Sequence, residues 1–157
     1  MRPTTAGILA LLLLTVLSAC GSTERPDSTN TAGGDWRDVG GTADESGYSP
    51  LSQINIPDIH RLGLAWSLDL PGEQTLEATP LAIGGMLYFS GSRSTVYAVD
   101  AASGQLLWKY DPQSGKHDPA RLRFVFGANR GVAYAVGKVF VGTLDGRLIA
   151  LRRNRVL

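Results

Sequence analysis

An all-β fold follows from three observations in the sequence. No stretch of useful length carries a 3.6-residue apolar period. The apolar segments are short and bounded by glycine, which accounts for 19 of 157 residues, or about 12% against a usual ~7%. Two fifteen-residue segments, 85–99 and 137–151, also match each other at a constant offset of 52.

The elements follow in chain order. Met1-Arg2 gives a short positive start, and Ala6 to Leu17 is an apolar run interrupted only by Thr15. Leu17-Ser18-Ala19-Cys20 closes it, and this end resembles a bacterial lipoprotein signal in which Cys20 is lipidated. An ordinary secretory peptide is the alternative, and the run is short of the ~20 residues that span a bilayer. Residues 1–19 are therefore expected to be a signal peptide. Residues 20–35 are expected to be a lipidated, flexible tether, since Ser, Thr, Asn, Gly and Pro dominate and no large apolar residue appears. The expected location is the periplasm, on a membrane. Cys20 is the one cysteine, so no internal disulfide and no cysteine-rich metal site can form.

The folded part is expected over residues 36–157, starting near Trp36. Leu64, Trp66, Leu68 and Leu70 alternate with smaller or polar residues and predict a half-buried strand over Leu64–Leu70. A second strand, Met86–Ser90, follows the hairpin pair Gly84-Gly85. Thr95–Val99 and Gln105–Tyr110 flank Asp100-Ala-Ala-Ser-Gly104, a turn with Asp at its start and Gly at its end. Val132–Val136 and Lys138–Val141 flank Gly137, and Arg147–Leu151 follows the turn dipeptide Asp145-Gly146. Some seven short strands, with turns about every 8–12 residues, make an antiparallel protein.

The repeat narrows the architecture. Apolar residues coincide at seven of the fifteen aligned pairs, among them Leu87/Val139, Tyr88/Phe140, Val96/Leu148 and Val99/Leu151. At 43% apolar residues, chance gives roughly three such pairs. A period near 50 suggests β-propeller blades of four strands each, with two similar hairpins in a sandwich as the alternative. After Leu151 the match stops. The first copy runs on through Asp100-x-x-Ser103-Gly104 to Trp108, whereas the second reads Arg152-Arg153-Asn154-Arg155-Val156-Leu157. Residues 152–157 are thus atypical, and a truncated or frame-shifted end is expected.

Charge adds an exclusion. With 15 Lys+Arg against 14 Asp+Glu, the net charge of +1 offers no basic excess for nucleic acid.

Ala98-Val-Asp-Ala-Ala-Ser-Gly-Gln-Leu-Leu-Trp108 resembles the tryptophan-docking motif of the quinoprotein, PQQ-dependent alcohol dehydrogenases. Asp35-Trp36, Tyr48-Ser-Pro-Leu51, Gln53-Ile-Asn55, Ala65-Trp66, Glu77-Ala-Thr-Pro-Leu81, Asn129-Arg-Gly-Val-Ala133 and Thr143–Ala150 are similar to further motifs of that family, in family order. The resemblance implies about two blades of an eight-bladed propeller, here its N-terminal part. It also implies pyrroloquinoline quinone (PQQ) beside Ca²⁺ on the ring axis, oxidation of an alcohol, and transfer of electrons to a cytochrome or quinone. Glu77 matches a glutamate near a cofactor carboxylate, and Arg130 matches an arginine at the reactive quinone oxygens. A guanidinium suits that task, being always charged and a fixed fork of donors. A glutamate beside an anionic cofactor requires a shared proton or a bridging donor.

The resemblance places the Ca²⁺ ligands and the catalytic aspartate beyond residue 157, so no catalytic or metal-ligating residue is expected within the chain and these residues alone are expected to be inactive. Many family members carry adjacent cysteines just before Asn-Arg-Gly, where this sequence has Phe124 and Val125. Trp66 and Trp108 are expected to pack between blades, and His60 and His117 to lie on the surface. Sugar or polyol dehydrogenases share the same opening motifs. Propeller lipoproteins that scaffold outer-membrane protein assembly share the tryptophan-docking repeats, but have no need of Glu77 or Arg130.

Overall fold

The computed structural model describes residues 34–42, 44–117 and 127–153. Seven strands form two antiparallel sheets among them. The first sheet orders β1 (Leu81–Ile83), β2 (Met86–Ser90), β3 (Val96–Asp100) and β4 (Leu106–Tyr110) as a meander. The second orders β5 (Ala133–Ala135), β6 (Lys138–Gly142) and β7 (Leu148–Arg152) in the same way. One helical turn, α1 (Ser114–His117), follows β4.

Each strand of the second sheet lies 52 residues after its counterpart, so the repeat in the sequence is a repeat in space. The copies share their turns. Ile83 faces Met86 and Ala135 faces Lys138, which leaves two-residue hairpins at Gly84-Gly85 and Val136-Gly137. All four turn residues have positive φ (55°, 77°, 44° and 73°), as a type I′ turn requires. Glycine adopts this freely, but the β-branched Val136 does not. The copies also share a closing bond. Ala101 donates its N–H to Gly85 O at 2.9 Å, and Arg153 donates to Gly137 O at 3.4 Å.

The core lies between the sheets. Leu81, Ile83, Tyr88, Val96 and Ala98 of the first sheet meet Val139, Val141 and Leu151 of the second, all buried, with Val132 beside them. Tyr88 stands at the centre, its ring 6.0 Å from Trp108 and 6.5 Å from Tyr134. Trp108, on the outermost strand of the first sheet, donates its indole N–H to Arg153 O at the end of β7, 3.2 Å away. Arg147 crosses back and donates to Pro112 O at 2.7 Å.

The opposite face of the first sheet shows the same relation one step earlier. Leu87, Phe89 and Val99 are the counterparts of Val139, Val141 and Leu151, and they line an apolar groove of about 290 Å³ with Trp66, Leu68 and Leu70. Trp66 donates its indole N–H to Ala101 O at 3.1 Å, the counterpart of Arg153. The Asp100–Gly104 turn is shaped to receive that ring. Asp100 Oδ1 accepts from Ser103 N and Ser103 Oγ at 2.8 and 2.7 Å, and Gly104 has φ of 73°. A Cβ at Gly104 would lie 2.5 Å from Trp66 Cδ2, so no side chain fits there.

Sequence and structure differ at two places. Leu64–Leu70 forms no strand and belongs to neither sheet among the described residues. Its alternation reflects packing on one side, since Trp66, Leu68 and Leu70 are half-buried and Leu64 is 86% exposed. β1 stands where no strand was expected, because a three-residue run after Pro80 is too short to show a period. Trp36 extends that sheet, with reciprocal backbone bonds to Ala82 of 2.7 and 2.9 Å. The backbone repeat also outlasts the sequence match, as β7 runs to Arg152.

Candidate functional site

Glu77 and Arg130 lie on equivalent segments of the two copies, one register apart, since the counterpart of Glu77 is Asn129. Glu77 lies on the segment that enters β1, and Arg130 on the segment that enters β5. Both are exposed. The segments meet at Gly131, where φ is 145° and an added Cβ would lie 3.7 Å from Thr79 O. The Glu-x-Thr-Pro and Asn-Arg-Gly motifs, about fifty residues apart, therefore share one corner at one end of the paired sheets.

Asn129 builds that corner from beneath. Its Oδ1 accepts from Ser90 Oγ at 2.7 Å and from Gly131 N at 3.1 Å. Its Nδ2 donates to Gly142 O at 2.8 Å and to Ser94 Oγ at 3.1 Å. Ser94 Oγ also accepts from Leu144 N at 3.1 Å. Ser90 ends β2 and Gly142 ends β6, so one amide side chain ties the two sheets together. The sequence marks Asn129 only as part of a motif, because its partners lie 39, 35 and 13 residues away.

A polar cleft beside this corner was not anticipated from the sequence. Glu73, Arg93, Lys109 and Asp111 are among the residues that line about 280 Å³. Burial pushes the Glu73 carboxyl up, but hydrogen bonds from the Tyr97 hydroxyl and the Ser92 N–H outweigh it and hold the group below its usual range. The same burial and the Glu73 charge push the Tyr97 phenol well above its usual range. Lys109 Nζ lies 5.3 Å from the centre of the Tyr97 ring. Glu73 is thus an internal acceptor, already engaged.

Two exposed groups remain at the shared corner, a guanidinium and a carboxylate. Arg130 makes no hydrogen bond or ion pair among the described residues. Its donors suit carbonyl and carboxylate oxygens, and Glu77 can accept from a protonated or bridging group. Among the described residues no group of three or more His, Cys, Asp and Glu could hold a metal ion. His60 and His117 are exposed. Cys20, Phe124 and Val125 lie outside the described residues.

Comparison with known proteins gives a consistent result. Residues 36–155 match the family model described as the glucose/ethanol/alcohol dehydrogenase β-propeller domain. The quinohemoprotein alcohol dehydrogenase ADH IIB of Pseudomonas putida is 48% identical over 153 residues, which cover 96% of this chain and 22% of that protein. A 1-butanol dehydrogenase (cytochrome c) of Thauera butanivorans is 44% identical, over 76% of this chain and 17% of that protein. Among solved structures, the quinohemoprotein alcohol dehydrogenase ADH-IIG of Pseudomonas putida superposes with a TM-score of 0.72 at 47% identity, over 78% of this chain and 18% of that one. The chain spans about a fifth of the length of these relatives.

Proposed function

The chain belongs to the glucose/ethanol/alcohol dehydrogenase β-propeller family, and from that premise we propose that its two sheets are blades of a PQQ-dependent dehydrogenase that oxidises an alcohol. The observation that carries this reading is the shared corner, where the segments bearing Glu77 and Arg130 meet at Gly131 and Thr79. PQQ, when bound, supplies the redox chemistry by accepting two electrons from the substrate. Arg130 would hold the quinone oxygens by hydrogen bonds and offset the negative charge that develops there. Glu77 would hold a carboxyl edge of the same ligand through a shared proton. Ca²⁺ is proposed as a companion of the cofactor, held by residues outside this chain. The 157 residues alone are proposed to be inactive, since the resemblance assigns them neither catalytic acid–base groups nor metal ligands.

Electrons would pass to a cytochrome or a quinone, and the name of the Thauera butanivorans relative favours cytochrome c. Sugar or polyol oxidation is the second reading, favoured by glucose in the family's description. The chain is proposed to sit on the periplasmic face of a membrane through lipid on Cys20. Two acyl chains or more would give a firm anchor, at roughly 0.8 kcal/mol per buried CH₂. Cys20→Ser should release it, and absence of label from a radioactive fatty acid on the unaltered protein would refute the anchor.

A chimaera tests the enzymatic reading. Residues 36–151 of this chain replace the matching segment of Pseudomonas putida ADH-IIG, and turnover is measured with primary alcohols and with glucose. Arg130→Ala should lower kcat by about 100- to 1,000-fold, the usual loss for one oxyanion donor. Arg130→Lys should recover part of it, because a point charge replaces a fork. Unchanged turnover in both variants contradicts the role.

A further inference from the structure

The side-chain amide of Asn129 can make four hydrogen bonds, and all four are made. Two of them do different work. The bond from Gly131 N to Asn129 Oδ1 closes a local turn with Arg130 at its centre, the form in which an Asn side chain replaces a backbone acceptor. The bond from Asn129 Nδ2 to Gly142 O ties that turn to the end of β6, while Ser90 Oγ ties it to the end of β2. Arg130 itself is exposed. Its backbone is thus fixed from the buried side, and its side chain is left available.

We propose that Asn129 is the positioning residue for Arg130: its amide clamps the ends of β2 and β6 and holds the arginine at the tip of a hydrogen-bonded turn. What Arg130 then contacts rests on the cofactor reading above, but the clamp does not. Asn129 supplies no charge to the ligand. It restricts where the guanidinium can be, so that fewer conformations are lost when the arginine engages.

Two substitutions separate the turn from mere bulk. Asn129→Ala removes all four bonds. Asn129→Asp keeps both acceptor bonds, from Ser90 Oγ and Gly131 N, and gives up the two donated by Nδ2. The readout is tryptic cleavage of the Arg130–Gly131 bond in the full chain under native conditions, which reports local opening. Cleavage after the exposed Arg61 serves as the internal standard, and rates on matching peptides correct for the change at position 129. Asn129→Ala should raise cleavage after Arg130 at least tenfold relative to Arg61. Asn129→Asp, which keeps the turn and the tie to β2 but loses the bond to Gly142 O, should raise it by an amount clearly between the unaltered chain and Asn129→Ala. Equal acceleration by Ala and Asp, equal acceleration at every arginine, or no acceleration would each overturn the proposal.

The same cleavage is then followed in the chimaera with added PQQ. Protection of the Arg130–Gly131 bond, lost in Asn129→Ala and retained in Asn129→Asp, supports both ideas together. If PQQ gives no protection while the Ala/Asp contrast persists, the cofactor reading fails at Arg130 and the positioning role stands.

Discussion

The two sheets carry the same unit, yet among the described residues only the first is covered on both faces. Leu81 and Ile83 of β1 are 1% exposed, whereas their counterparts Ala133 and Ala135 in β5 are exposed. Val96 of β3 is fully buried, and its counterpart Leu148 is 76% exposed. Strand geometry and register are nevertheless the same in both copies. The difference therefore lies in the neighbours, not in the strands. A unit of this kind reaches its full burial only between two others, as in repeat architectures generally. The first sheet has the second on one side and the Trp66–Leu70 segment on the other.

The comparison breaks most sharply at the tryptophans. Trp108 packs on the shared core and hydrogen-bonds to Arg153 O, while Trp66 covers the Asp100–Gly104 turn and one edge of an open apolar groove. Trp108→Ala should cost about 3–5 kcal/mol, the range for a large aromatic lost from a core. Trp66→Ala should cost clearly less. Urea unfolding checks this, and equal losses would mean that the two docking contacts are energetically equivalent.

A smaller effect separates the hairpins. Val136 carries a side chain at φ of 44°, where the first copy has Gly84 at 55°. Val136→Gly should stabilise the second sheet by about 1 kcal/mol through relief of left-handed strain. Gly84→Val should do the reverse and more, because a Cβ there also meets the Arg153 guanidinium. A thermal melt of both variants tests the contrast, and a lower Tm for Val136→Gly would refute it.

The smallest expected effect is electrostatic and belongs to the second sheet alone. Arg147 hydrogen-bonds to Asp145 through Nε and Nη2, at 3.0 and 2.7 Å, and holds its carboxyl down to about 2. An unfolded Asp titrates near ~3.9. The folded pKa is the lower one, so the stabilisation is complete above about pH 5 and is lost as pH falls from about 4 to 2. Asp145→Asn should lower stability at neutral pH and flatten the acid limb of the stability curve. Chemical denaturation at pH 7, 4 and 3 measures it, and an unchanged slope would contradict the assignment.

Much of this was legible in the sequence, for definite reasons. Turn chemistry is local, so Gly84-Gly85, Asp100–Gly104 and Asp145-Gly146 mark their hairpins directly. The offset of 52 predicts the second sheet from the first. The docking tryptophans are legible from the motif, but their acceptors Ala101 O and Arg153 O are backbone atoms, which carry no sequence signal. Leu64–Leu70 misleads because alternation reports one packed face and says nothing of a hydrogen-bonding neighbour. Glu77 and Arg130 are singled out by resemblance to a family, and their roles are proposals. The clamp at Asn129 was not legible, since it depends on Ser90 and Ser94, at the end of β2 and in the connection after it, and on Gly142, at the end of β6, all meeting one side chain.

The central claim is that Glu77 and Arg130, brought to one corner by two copies of one unit, hold the same ligand. PQQ affinity in the chimaera tests it most directly, measured by titration for the unaltered protein, Glu77→Gln, Arg130→Ala and the double variant. The account predicts weaker binding in each single variant, with Arg130→Ala losing tenfold or more, about 1.4 kcal/mol. It also predicts that the two effects are not additive, as befits groups on one ligand. PQQ affinity unchanged by either single substitution would contradict it.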